Sequence, residues 1–172
     1  MMATTSCGQS NKANKTLVVY FSRTGNTETV AKQIQALTSA DIFRIETVKV
    51  YPEDWHETTE VAKEEIDNSA RPEIKGKVEN IDQYDTVFIG FPIWWNTYPR
   101  AIATFIESHN LKGKTVILFC THNGGGGEQG FADVEKLIPE SGHKNGLSIF
   151  GKHASSSKAD VEKWLREIGV IK

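Results

Sequence analysis

A chain of 172 residues with 38% apolar side chains can bury one good core, so a single domain is expected. Lys and Arg number 20 against 22 Asp and Glu, a net charge of −2, which supplies no global basic field for nucleic acid or an anionic membrane. The two cysteines, Cys7 in a polar stretch and Cys120 ending an apolar run, make neither a disulfide framework nor a metal site and suit a reduced, cytoplasmic compartment.

Residues 1–15 are poor in apolar groups and rich in Ser, Thr, Asn and Lys, and they lack the apolar region of a signal peptide. A disordered leader is expected there, with the folded domain over residues 16–172. A second expectation stands beside it. Ala3-Thr4-Thr5-Ser6-Cys7-Gly8 resembles the end of a bacterial lipoprotein signal without its apolar part. Were the natural start upstream, Cys7 would be lipidated and the protein anchored to a membrane.

The first strand is expected over residues 16–21, a β-branched and aromatic run. It gives way to Ser22-Arg23-Thr24-Gly25-Asn26-Thr27, after which Val30, Ala31, Ile34 and Leu37 resume at helical spacing, predicting a helix over 26–37. The turn is then a helix N-terminus, with unpaired N–H groups, the positive end of the macrodipole and short donors from Ser22, Thr24, Asn26 and Thr27. An anion fits there without a lysine. Ser, Thr and Asn are also ordinary helix caps, so a plain strand-to-helix turn is the competing reading. The loop lacks the lysine of a Walker loop and the three-glycine spacing of a dinucleotide fingerprint, which removes nucleoside triphosphates and NAD as its natural ligands.

A short second strand is expected over 42–45. The connection that follows is long, and residues 46–67 carry eight acids against Lys49 and Lys63, a local charge of −6. A helix over about 54–68, with Trp55, Val61, Ala62 and Ile66 partly inward, would present those acids to solvent. It reads either as a solvated face or as a docking surface for a basic redox partner.

The third strand, 86–91, runs into Pro92-Ile93-Trp94-Trp95-Asn96-Thr97-Tyr98-Pro99. Two adjacent indoles in an extended loop point in alternate directions, so one is free to cover something flat while the other packs inward. Which does which stays open. Pro99 then occupies a first helical position, with Ala101, Ile102, Phe105 and Ile106 as one apolar face. The fourth strand, 115–120, ends in Thr121-His122-Asn123 and the glycine run 124–127, which lets backbone approach a ligand closely. A phosphatase loop is excluded because no arginine follows to close an anion cradle. Thr121, His122 and Asn123 are the polar candidates, and His122 alone is placed for redox chemistry; His56, His109, His143 and His153 fall on expected surfaces. A fifth strand over 147–150 precedes a helix capped by Ser157 with Val161, Trp164, Leu165 and Ile168 as its stripe.

Apolar strands alternating with helices predict an α/β fold: a doubly wound, five-stranded parallel sheet of order 2-1-3-4-5 in three α/β/α layers. Ligands bind such sheets at the carboxyl ends of the strands beside the switch point. The loops after strands one, three and four should therefore meet.

Ser22-Arg23-Thr24-Gly25-Asn26-Thr27 closely resembles the fingerprint of the flavodoxin family, a strand followed by Thr/Ser-x-Thr-Gly-Asn-Thr, and the resemblance extends over residues 16–172. It implies a flavodoxin-like fold with FMN as cofactor. Ser22, Arg23, Thr24, Gly25, Asn26 and Thr27 would hold the phosphate. An aromatic of the loop Pro92, Ile93, Trp94, Trp95 and Asn96 would stack on the isoalloxazine ring, and Thr121, His122, Asn123 and Gly124 would contact its pyrimidine and ribityl side. Asn96 replaces the glycine whose carbonyl commonly turns toward flavin N5 on reduction, although Asn tolerates positive φ well. The implied function is one-electron transfer between redox partner proteins, a reductase and an acceptor. The alternatives are an FMN-dependent NAD(P)H:quinone or flavin reductase on the same fold, and a flavin-binding module without turnover. Two indoles crowding the ring oppose the reductase, and the open glycine-rich loop favours it. Many flavodoxins are far more acidic overall, a departure that weakens the case for a broadly steered carrier.

Overall fold

Alternation along each central strand divides its side chains between two cores, one on each face of a single sheet. The structure is a computed structural model that describes residues 14–172. The expected leader, apart from Asn14 and Lys15, and Cys7 lie outside the described residues. Strands β1 (Thr16–Tyr20), β2 (Asp41–Arg44), β3 (Thr86–Pro92), β4 (Thr115–His122) and β5 (Gly142–Phe150) pair in parallel in the order β2-β1-β3-β4-β5. Helices α1 (Asn26–Thr38), α2 (Trp55–Asp67), α3 (Ala101–Glu107), α4 (Glu128–Glu135) and α5 (Lys158–Glu167) connect or follow them.

On one face Leu17, Val19, Ile89, Phe91 and Leu118 pack under α3 and α4, which contribute Ile102, Phe105 and Val134. On the other, Val18, Tyr20, Phe88, Ile117 and Phe119 meet Val30 and Ile34 of α1 and Val161, Trp164 and Leu165 of α5. The packing is close at Gly90, where a Cβ would lie 2.0 Å from the Phe119 ring. Because both faces are covered, β1, β3 and β4 read as continuous apolar runs. The edge strands do not. β5 begins five residues before its expected start because 142–146, Gly-His-Lys-Asn-Gly, is solvent-exposed and pairs with β4 through backbone alone.

Several local expectations differ from the structure. Helix α4, for which no element was expected, starts directly after the glycine run with Val134 buried and Phe131 packed against the same core, and 3₁₀ turns occupy Ile81–Gln83 and Gly151–Ser156. Pro99 precedes the N-cap Arg100 and does not open α3. Ser157 stands at the N-cap of α5 without a capping bond; its hydroxyl donates to Ala154 O at 2.8 Å and Gln33 Oε1 at 2.9 Å. His109 is not a free surface residue: its ring stacks on Phe105 at 4.1 Å, and its Nε2 accepts from Val78 N at 3.0 Å. In α2 the buried residues are Thr58 and Ala62, while Trp55 is 62% exposed and not inward.

Candidate functional site

The carboxyl ends of β1, β3 and β4 open onto one cleft of about 490 Å³, within the usual range for small-molecule sites. Every candidate from the three loops lines it except Gly25 and Gly124. Those two shape the backbone, with φ of 92° and 128°, values that suit glycine.

The first loop decides between an anion site and a plain cap. Helix α1 starts at Asn26 with Gly25 at the N-cap, and no side chain caps it. The Ser22 hydroxyl accepts from Gly25 N at 3.2 Å, inside the loop. Thr27 is buried, and its hydroxyl pairs with that of Thr121 at 2.8 Å, tying the first loop to the third. Among the described residues the N–H groups of Asn26, Thr27 and Glu28, the Thr24 hydroxyl and the Asn26 amide have no protein partner. They form a concave set of donors at the positive end of α1. Glu28, in the same turn, is neutralised: Lys32 at 2.7 Å and Arg44 at 3.1 Å hold its carboxyl below the usual range, the Lys32 hydrogen bond most. Arg23 points elsewhere than a phosphate grip. Its guanidinium donates to the carbonyls of Pro52 and Glu53 and so pins the segment leading into α2.

The second loop is a tight turn, not an extended segment. Trp94 N donates to Thr97 O at 2.9 Å and Thr97 N to Trp94 O at 3.0 Å, with Trp95 and Asn96 both left-handed at φ 49° and 61°. That is type I′ geometry. Asn tolerates it; for Trp it costs about 1–2 kcal/mol, strain of the kind that gathers at functional sites. The turn separates the two indoles. Trp94 packs edge-on against Phe21 at 5.4 Å and Tyr51 at 5.1 Å. Trp95 stays 50% exposed on the cleft, its Nε1 donating to Thr59 O at 3.0 Å and the Lys63 ammonium lying 5.9 Å from its ring.

In the third loop His122 Nδ1 accepts from Gly124 N at 3.0 Å, and its ring meets Phe150 edge-on at 5.6 Å. That bond gives the imidazole a loop-shaping role. Beneath it, Cys120 is buried, donates to Ser148 Oγ at 3.5 Å, and has its thiol pushed up to about 11 by burial. It is therefore a protonated, inert thiol.

Sequence reasoning missed Trp55, Thr58, Thr59 and Ala62 of α2, together with Gly125 and Gly151. The carboxyl-end rule applies to β2 and β5 as well. The long connection after β2 and the turn after β5 both begin at the edge where the cleft lies. Gly151 has a specific reason to be there: a Cβ would come within 2.9 Å of Asn26 Nδ2 and 3.3 Å of Asn123 Oδ1.

A family model described as Flavodoxin matches residues 15–168. The chain belongs to the flavodoxin family. Among solved structures it resembles a protein provisionally described as a flavoprotein from Bacteroides eggerthii (37% identity, 90% of this chain and 97% of that one, TM-score 0.80). A similarly described protein from Bacteroides uniformis shares 35% identity over 89% of this chain and 98% of that one, with TM-score 0.81. A flavoprotein from Lactobacillus acidophilus, solved in complex with FMN, shares the fold at 21% identity over 84% of this chain and 98% of that one, TM-score 0.71. No curated protein matches.

The flavodoxin cleft fits a phosphate-bearing flavin on two counts. The uncapped α1 terminus offers unpaired donors to a phosphate, and the bare Gly151 keeps Asn26 and Asn123 in place beside it. Trp95 and Trp55 offer exposed aromatic surface to a flat ring. Such a group would supply the redox chemistry, and the protein its binding and orientation. Among the described residues no cluster of three His, Cys, Asp or Glu could hold a metal, and no helix is long and apolar enough to cross a membrane.

Proposed function

We propose that this flavodoxin binds FMN in the cleft and transfers one electron at a time between redox partner proteins in the cytoplasm. The observation that carries the reading is the uncapped N-terminus of α1 opening into the same cleft as the strained Trp95–Asn96 turn. A monophosphate at the one and a stacked ring at the other span the cleft. The Lactobacillus acidophilus flavoprotein of the same fold, solved with FMN, supports the choice of cofactor. Ser22 and Thr27 act by shaping the loop, while Thr24, Asn26 and the first N–H groups of α1 meet the phosphate. Few positive charges face that phosphate, since Arg23 is engaged by carbonyls. The exposed acids Glu53, Asp54, Glu57, Glu60, Glu64 and Asp67 lie next to the cleft and suit a basic partner.

A second reading, an FMN-dependent NAD(P)H:quinone or flavin reductase, draws on one observation. Trp94 is packed on Phe21 and Tyr51, so only one indole of its loop is free to crowd the ring. Stopped-flow mixing of the FMN-loaded protein with NADPH separates the two. The carrier bleaches only when a partner reductase is added, and rapid direct bleaching would establish the reductase instead.

A further inference from the structure

Helix α2 is the wall of the cleft with the least packing of its own. Of its thirteen residues only Thr58 and Ala62 are buried. It is held largely by polar bonds from elsewhere: Arg23 to the Pro52 and Glu53 carbonyls just before it, Trp95 Nε1 to Thr59 O, and Tyr51 Oη to Glu65 Oε2 at 2.8 Å. Two of those anchors, Arg23 and Trp95, come from the loops that line the cleft. Asp54 caps the helix, accepting from Glu57 N at 3.0 Å, and so fixes the first turn, where Trp55 stands.

Trp55 lines the cleft yet is 62% exposed. An indole left in water on a capped first turn forgoes much of the 150–250 Å² of burial that an aromatic side chain typically provides. Helices with few buried contacts also open locally at low cost. Both deficits are met by one event.

Resting on the flavin reading above, we propose that Trp55 is a ring-stacking wall of the cofactor site and that flavin binding completes the packing of α2. The ring then lies between this helix and the body of the protein and offers partners its edge in preference to a face. The acidic side chains of α2 become ordered with it, so the loaded protein presents a more defined charged surface than the empty one.

The test compares the wild-type chain with Trp55→Ala, using FMN, riboflavin and inorganic phosphate as separate probes. Trp55→Ala is expected to bind both FMN and riboflavin roughly five- to tenfold more weakly, because the lost contact is with the ring. Its bound flavin should fluoresce more strongly, an indole in contact being a quencher, while the melting temperature without ligand stays the same. In wild type, FMN should slow amide exchange across residues 57–67, phosphate alone should not, and Trp55→Ala should lose most of that protection. Unchanged flavin affinity, unchanged quenching and no FMN-dependent protection of α2 would overturn the inference while leaving the flavin reading intact. A wild-type chain that binds no FMN would overturn both.

Discussion

Gly151 shows how one absent Cβ shapes the cleft. A methyl there would press on Asn26 Nδ2 at 2.9 Å, the movable end of a side chain, so the change displaces a phosphate donor without breaking the fold. Gly151→Ala is expected to weaken FMN binding about tenfold, about 1.4 kcal/mol and so close to the lower end of the range for a hydrogen bond to a charged group, and to leave riboflavin binding unchanged. Fluorescence titration with both ligands checks it. Glu65 is the acid of α2 that turns inward, accepting the Tyr51 hydroxyl, and burial raises its pKa above the usual carboxylate value. A raised folded-state pKa means that protonation favours the fold: the benefit is full below the unfolded value and lost as pH rises through the folded one. Glu65→Gln keeps an acceptor for Tyr51 and removes the charge. It is expected to raise the melting temperature at pH 7 and to change it little at pH 4. Gly151 was not legible in the sequence as a site residue, because its role depends on Asn26, far along the chain.

Among the elements, β1, β3 and β4 were legible because each is covered on both faces and so carries an unbroken apolar run. The first half of β5 was not, since an exposed edge strand needs only backbone to pair. Helix α2 misled in an informative way. Apolar spacing suggested Trp55, Val61, Ala62 and Ile66 as partly inward; Ala62 is buried and Val61 and Ile66 are partly buried, whereas Trp55 is exposed on the cleft and the other buried residue is Thr58. Periodicity reports burial against protein, and where a helix borders a ligand site an apolar residue can be matched to the ligand instead. The β3–β4 layer makes its own prediction. With a Cβ placed 2.0 Å from the Phe119 ring, Gly90→Ala forces strand or ring to move. It should cost about 1–3 kcal/mol, read as a fall in the urea midpoint at unchanged slope.

For the molecule as a whole, the near-neutral total hides a charge separation, because residues 46–67 carry eight acids against two lysines while the rest of the chain is net positive. If those acids steer a basic partner, the second-order rate of electron transfer should fall as ionic strength rises from 0.01 to 0.15 M, over which screening shortens from about 30 to 8 Å. A rate independent of salt would make the acidic face merely solvated. The sheet order and the meeting of three loops were legible because strand pattern and the carboxyl-end rule are properties of the whole chain. The type I′ turn that separates Trp94 from Trp95 was not, because it places a bulky residue where its own preference argues against it. The most direct test of the central claim is an absorbance and fluorescence titration of the purified protein with FMN. Saturable one-to-one binding with a shifted visible flavin spectrum and quenched emission is expected; a colourless protein that leaves the spectrum of added FMN unchanged would contradict a flavin site in the cleft.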